Sequence, residues 1–211
     1  MDTQELSPVR ALMNISPVIT ILHIDRLADA EPLAHALMAA GNRVLEITCR
    51  TECAIDAAVA MAKAEPDAVV GLGTVVEEDQ MRAVADIGLK FAVSPGLDEN
   101  MVRLAQDLNV PFLPGVVTPS EVMLARRLGL RELKFFPCEP AGGTLGLRMM
   151  EGPFPDVVFC PTGRVTQENR DDYLALPNVP CVGGSWMVPK EAIRNGDWQA
   201  VSHAARKALV F

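Results

Sequence analysis

Eight times along the chain, a short apolar, β-branched run is followed by an amphipathic stretch rich in Ala and Leu. The runs are "PVITILHI" (17–24), "RVLEITC" (43–49), "AVVGLGTV" (68–75), "FAVSPG" (91–96), "PFLPGV" (111–116), "ELKFFP" (132–137), "DVVFCP" (156–161) and "VPCVGG" (179–184). The amphipathic stretches lie around 27–41, 52–65, 77–88, 98–108, 119–129, 143–150, 166–175 and 189–209. A helix between consecutive strands acts as a crossover, so the strands must run parallel. Eight such units close naturally into a (β/α)8 TIM barrel, here a small one of about 26 residues per unit. A doubly wound open sheet is the rival architecture. Against it, no G-x-G-x-x-G follows the first strand, and "GLGTVV" (71–76) lacks the third glycine.

No low-complexity tract or linker divides the 211 residues, so a single domain over 1–211 is expected. The net charge of -8 argues against nucleic acid or an anionic membrane as partner, although a local site on an acidic protein can still hold a small anion. No apolar run approaches the ~20 residues of a membrane span. The start "MDTQELSPVR" is too acidic for a signal peptide. Five cysteines, mostly inside strand-like runs, read as buried reduced thiols of a cytoplasmic protein. The "CRTEC" spacing fits no zinc signature and His23, His35 and His203 are scattered, so no structural metal is expected.

In such a barrel, functional residues gather at the carboxyl ends of the strands. Parity along each strand then sorts the side chains. In 43–49, Leu45, Ile47 and Cys49 form an apolar face for the helices, leaving Glu46 inside with Arg50 above it at the mouth. In 132–137, Leu133 and Phe135 face the helices while Lys134 and Phe136 point inward. An internal Glu46–Lys134 salt bridge would explain the pair structurally, but a buried ion pair is usually no better for stability than apolar packing. The alternative is use. A lysine attacks carbonyls only as the neutral amine, which desolvation favours, and a nearby carboxylate can relay protons.

The motifs "LEITCRTE" (45–52), "GLGTV" (71–75), "SPG" (94–96), "PGVVTPSE" (114–121), "KFFPCE" (134–139), "GPF" (152–154), "FCPTG" (159–163) and "GGSW" (183–186) follow one another in order. Together they resemble the 2-keto-3-deoxy-6-phosphogluconate (KDPG) aldolase family, which also covers 4-hydroxy-2-oxoglutarate (KHG) aldolases. The likeness extends over roughly residues 15–200. It implies a homotrimeric class I aldolase that releases pyruvate from a 2-keto-4-hydroxy acid and needs neither metal nor organic cofactor. Carried over by motif, Lys134 is the Schiff-base lysine and Glu46 the general acid–base. Arg50 and Thr74 hold the pyruvate-end carboxylate, Pro95 lies close to the reacting carbons, and Phe136 joins the substrate-binding set. Thr162 and Gly163, with Gly183, Gly184 and Ser185, line the distal, phosphate end.

One position departs from the family pattern. Its phosphate loop usually reads PTGG, and here Arg164 replaces the second glycine. Arg164 adds a phosphate contact, or closes the loop and favours an unphosphorylated substrate such as 4-hydroxy-2-oxoglutarate, or faces solvent. A metal-dependent aldolase would need histidine and carboxylate ligands at strand ends, and His23 lacks a histidine companion. A non-catalytic keto-acid- or phosphate-binding barrel is the reading from another class. In it, Lys134 merely pairs with a ligand carboxylate.

Overall fold

A computed structural model describes residues 6–210; residues 1–5 of the acidic start lie outside the described residues. Nine short parallel strands appear among them: β1 (Val18–Leu22), β2 (Val44–Thr48), β3 (Val69–Gly73), β4 (Ala92–Val93), β5 (Phe112–Leu113), β6 (Gly115–Val116), β7 (Glu132–Phe135), β8 (Val158–Pro161) and β9 (Val182–Gly184). The helices are α1 (Pro8–Met13), α2 (Ala30–Ala39), α3 (Ala54–Ala64), α4 (Glu78–Ile87), α5 (Glu99–Asp107), α6 (Pro119–Arg127), α7 (Gly143–Glu151), α8 (Arg170–Leu174), α9 (Lys190–Arg194) and α10 (Trp198–Ala208). Every expected crossover helix is present, and α1 is an addition that the periodicity did not announce.

The strands form a curled six-stranded sheet of order β5-β4-β3-β2-β1-β9 and a three-stranded sheet of order β6-β7-β8. The run 111–116, expected as one strand, is split by Pro114. Proline has no N–H to give to a ladder, but its carbonyl still accepts the Lys134 N–H at 2.9 Å. The chain therefore pairs with β4 before the proline and with β7 after it. At the other edge, a bridge joins Thr162 to Gly183, just beyond β8 and within β9.

Local chemistry sets the helix ends. Thr118 caps α6, and Glu121 returns a carboxylate bond to the Thr118 N–H at 2.7 Å with Pro119 at the first helical position. Asp98 caps α5 by accepting the Met101 N–H at 2.8 Å. The stretch 189–209, expected as one helix, breaks at Gly196, whose φ of 65° ends α9. Asp197 then restarts the helix by accepting the Ala200 N–H at 3.0 Å.

Apolar residues divide into two layers. Leu45, Ile47, Leu133 and Phe135 pack outward against helices, in one cluster with Leu33, Leu37, Ala57 and Met61. The inner layer holds Ile19, Val44, Phe91, Leu113, Val158, Cys160 and Cys181, and Val9, Leu12 and Met13 of α1 belong to it. The first helix thus covers the amino-terminal end of the inner layer. Arg10 ties it to Glu132 at the start of β7, 3.3 Å away.

Candidate active site

Strand alternation does what parity predicts. Glu46 at the middle of β2 is 3% exposed and Lys134 on β7 is 6% exposed, both on the inner face. Lys134 Nζ lies 3.5 Å from Glu46 Oε1 and 5.2 Å from the centroid of the Phe136 ring. A charge-assisted bond built for stability closes to about 2.7–2.9 Å. At 3.5 Å the pair is in reach yet loose, which leaves the amine room to meet a carbonyl carbon.

The two side chains line a cavity of about 170 Å³, with Ile21, Thr48, Arg50, Phe136, Thr162, Gly163, Arg164, Val165, Gly183, Gly184 and Ser185. Arg50 stands at the mouth, where its Nε donates to the Thr74 hydroxyl at 3.1 Å. No protein acceptor among the described residues takes its terminal guanidinium nitrogens, so a planar fork is free for a carboxylate. Thr74 itself has φ of 57°. A β-branched residue is unusual in the left-handed region, and such conformations cluster at functional sites. Thr74 joins the Lys134 cavity only through Arg50, and Pro95 does not line it. Pro95 lines a neighbouring cavity of about 250 Å³ with Ser94 and Met101, although Lys134's register partner Gly115 abuts its carbonyl.

Beyond β8 the chain turns through Gly163 (φ 101°) and Arg164 (φ 64°), two consecutive left-handed residues. Glycine adopts this conformation freely, whereas a side chain there costs about 1–2 kcal/mol. Side chains hold the turn. The Cys138 thiol donates to the Gly163 carbonyl at 2.9 Å. Burial pushes that thiol up to about 11, so it stays protonated as the donor. The Asn169 side-chain amide donates to the Arg164 carbonyl at 3.2 Å and to Glu139 at 3.3 Å. Its oxygen accepts the Thr166 N–H at 2.8 Å. The buried Tyr173 hydroxyl donates to the same Glu139 oxygen.

One small cavity gathers a buried amine, a carboxylate within proton-transfer reach, a free guanidinium and a glycine-rich turn, the groups that condensation with a carbonyl calls for. The model of the family described as KDPG and KHG aldolase matches residues 9–204. The chain belongs to that family.

This aldolase is therefore a carbon–carbon lyase. It is 46% identical over 199 residues to a KHG/KDPG aldolase of Escherichia coli K12, covering 94% of this chain and 93% of that protein. A 2-dehydro-3-deoxy-phosphogluconate aldolase of Pseudomonas aeruginosa is 43% identical, with 98% and 94% covered. Among solved structures, a KDPG aldolase from Legionella pneumophila superposes with a TM-score of 0.93 at 42% identity, over 97% of this chain and 99% of that one. That protein was captured with pyruvate as a covalent carbinolamine.

Sequence reasoning missed two parts of the site. The cluster of Cys138, Glu139, Asn169 and Tyr173 joins residues about 30 apart and leaves no local pattern. Gly73 is the other. A Cβ there would lie 2.1 Å from Glu46 Oε1 and 2.6 Å from its Cγ, so only glycine leaves the carboxylate its place. Gly73→Ala will swing Glu46 aside and lower kcat on the order of 10²-fold, as small misplacements do. Steady-state kinetics beside a thermal melt will show a kinetic loss out of proportion to the change in stability.

Proposed function

We propose that this aldolase cleaves 2-keto-3-deoxy-6-phosphogluconate to pyruvate and glyceraldehyde 3-phosphate through a Schiff base on Lys134. The observation that carries the reading is the buried Lys134 amine, 3.5 Å from Glu46, in a cavity whose rim holds Arg50. The neutral amine adds to the 2-keto carbon, and Glu46 moves the protons by which the carbinolamine loses water. The resulting iminium is the electron sink. Glu46, through a water, takes the proton from the 4-hydroxyl as the bond between carbons 3 and 4 breaks. The aldehyde departs and leaves an enamine of pyruvate on the lysine. Protonation at carbon 3 returns the iminium, and water hydrolyses it to free pyruvate and the amine.

Arg50, steadied by Thr74, pairs with the substrate carboxylate, Phe136 walls the reacting carbons and Pro95 backs them from the bend beyond β4. Thr162, Gly163, Arg164, Gly183, Gly184 and Ser185 receive the distal phosphate. The same proposal takes the two sheets as one (β/α)8 barrel in a single domain. Its closure is supported by the Thr162–Gly183 bridge and by the single residue between β5 and β6. It takes the assembly as a homotrimer and the compartment as the cytoplasm, where five unpaired cysteines are at home.

Arg164 decides between phosphorylated and unphosphorylated substrates. It lines the Lys134 cavity and stands on a turn whose φ favours glycine, so its retention there needs a return. A phosphate contact supplies one. Turnover of KDPG and of 4-hydroxy-2-oxoglutarate should be compared side by side in the wild type and in Arg164→Gly. Wild type will prefer KDPG, and the variant will lose roughly 10- to 150-fold in kcat/KM for KDPG alone, the equivalent of a charge-assisted bond. Equal losses on both substrates would remove Arg164 from the phosphate end, and faster KDPG cleavage would make it an obstruction. A wild type with no KDPG activity would refute the reading.

A further inference from the structure

We infer that Asn169, buttressed by Glu139 and Tyr173, is a positioning residue that turns the Arg164 and Val165 N–H groups toward the cavity to receive an anionic substrate group. This deepens the reading above and rests on it for the identity of the substrate. A trans peptide is planar, and its C=O and N–H point in opposite directions. Fixing the carbonyl of one residue therefore fixes the donor of the next. The Gly163 carbonyl is held by the Cys138 thiol at 2.9 Å, so the Arg164 N–H points away from Cys138. The Arg164 carbonyl is held by the Asn169 amide at 3.2 Å, so the Val165 N–H points away from Asn169. Gly163, Arg164 and Val165 all line the cavity that holds Lys134. Among the described residues no protein acceptor takes the Arg164 or Val165 N–H. Two adjacent, unused backbone donors on a turn that lines one concavity can make an anion cradle.

Asn169 can hold this arrangement because both its amide hydrogens and its oxygen are engaged. Its amide hydrogens go to the Arg164 carbonyl and to Glu139, and its oxygen takes the Thr166 N–H. Glu139 is fixed in turn by the hydroxyl of the fully buried Tyr173. Asp cannot replace Asn here, since it donates nothing to the Arg164 carbonyl and sets a second negative charge against Glu139. Gln can replace Glu139, because its amide oxygen still accepts from both Tyr173 and Asn169.

The test reads the cradle directly and the chemistry separately. Inorganic phosphate is titrated into wild type, Asn169→Ala, Asn169→Asp and Glu139→Gln while the amide chemical shifts of Arg164 and Val165 are followed. Wild type and Glu139→Gln will respond at the same concentrations. The two Asn169 variants will need at least ~10-fold more phosphate and lose a similar factor in KM for KDPG, the size expected for charge-assisted donors. Their trapping of pyruvate by borohydride at Lys134 will remain as in wild type, which shows that the fold and the reacting end are intact. Wild-type amides that ignore phosphate, or an Asn169→Ala protein that binds it equally well, would overturn the inference. A variant that also fails to trap pyruvate would make Asn169 a general structural residue and equally overturn it. Wild-type amides that respond while KDPG is not cleaved would leave the cradle standing and refute the substrate.

Discussion

Incubation with pyruvate and borohydride will add one reduced pyruvate per chain, on the peptide that carries Lys134. Lys63, Lys90, Lys190 and Lys207 are all exposed, and none lies near the Glu46 carboxylate. Surface lysines lack the apolar surroundings and the neighbouring carboxylate that suit an amine to carbonyl addition. Lys134→Met will therefore lose the adduct and essentially all turnover, on the order of 10⁵–10⁶-fold, as removal of a nucleophile does elsewhere. Methionine keeps the unbranched stem, but it leaves the Glu46 carboxylate buried without its cation, which costs up to about 3–5 kcal/mol. The wild-type trapping experiment avoids that complication. Mass mapping of the adduct to any other lysine would remove Lys134 from the mechanism, and an absence of adduct would leave only a binding role.

Glu46→Gln separates the partners. The change is nearly isosteric in a position 3% exposed, so packing should survive. Gln cannot shuttle protons, and losing a positioned acid–base group costs ~10²–10⁴-fold. Turnover will fall by that factor while some pyruvate can still be trapped on Lys134, because borohydride intercepts whatever iminium forms. An unchanged kcat would show that Glu46 is only the counter-ion of an internal pair.

The chemical pair was legible because a strand exposes alternate residues to alternate faces. Glu46 and Lys134 interrupt otherwise apolar alternation, and the burial of Leu45, Ile47, Leu133 and Phe135 on the opposite side follows the same rule. The caps of α5 and α6 were legible for an equally local reason, since Asp98 and Thr118 bond to N–H groups three residues away. What depended on distant partners was not. Helix α1 has an ordinary composition, and its role comes only from where Val9, Leu12 and Met13 land on the inner layer. The switch of pairing partner at Pro114, from β4 to β7, depends on distant strands that no window around 111–116 contains. Asn169 looks like any loop asparagine until Glu139 and the Arg164 carbonyl are brought to it.

The placement of α1 has a bearing on the lysine that its distance in sequence conceals. Cys160, the register partner of Lys134, and Val158 belong to the inner cluster that Val9, Leu12 and Met13 complete. The chamber thus has an apolar floor beneath the lysine. The desolvation of the lysine then depends in part on the six residues of α1, which complete that floor. Changes in the apolar face of α1 would alter the medium around Glu46 and Lys134 without substituting either residue.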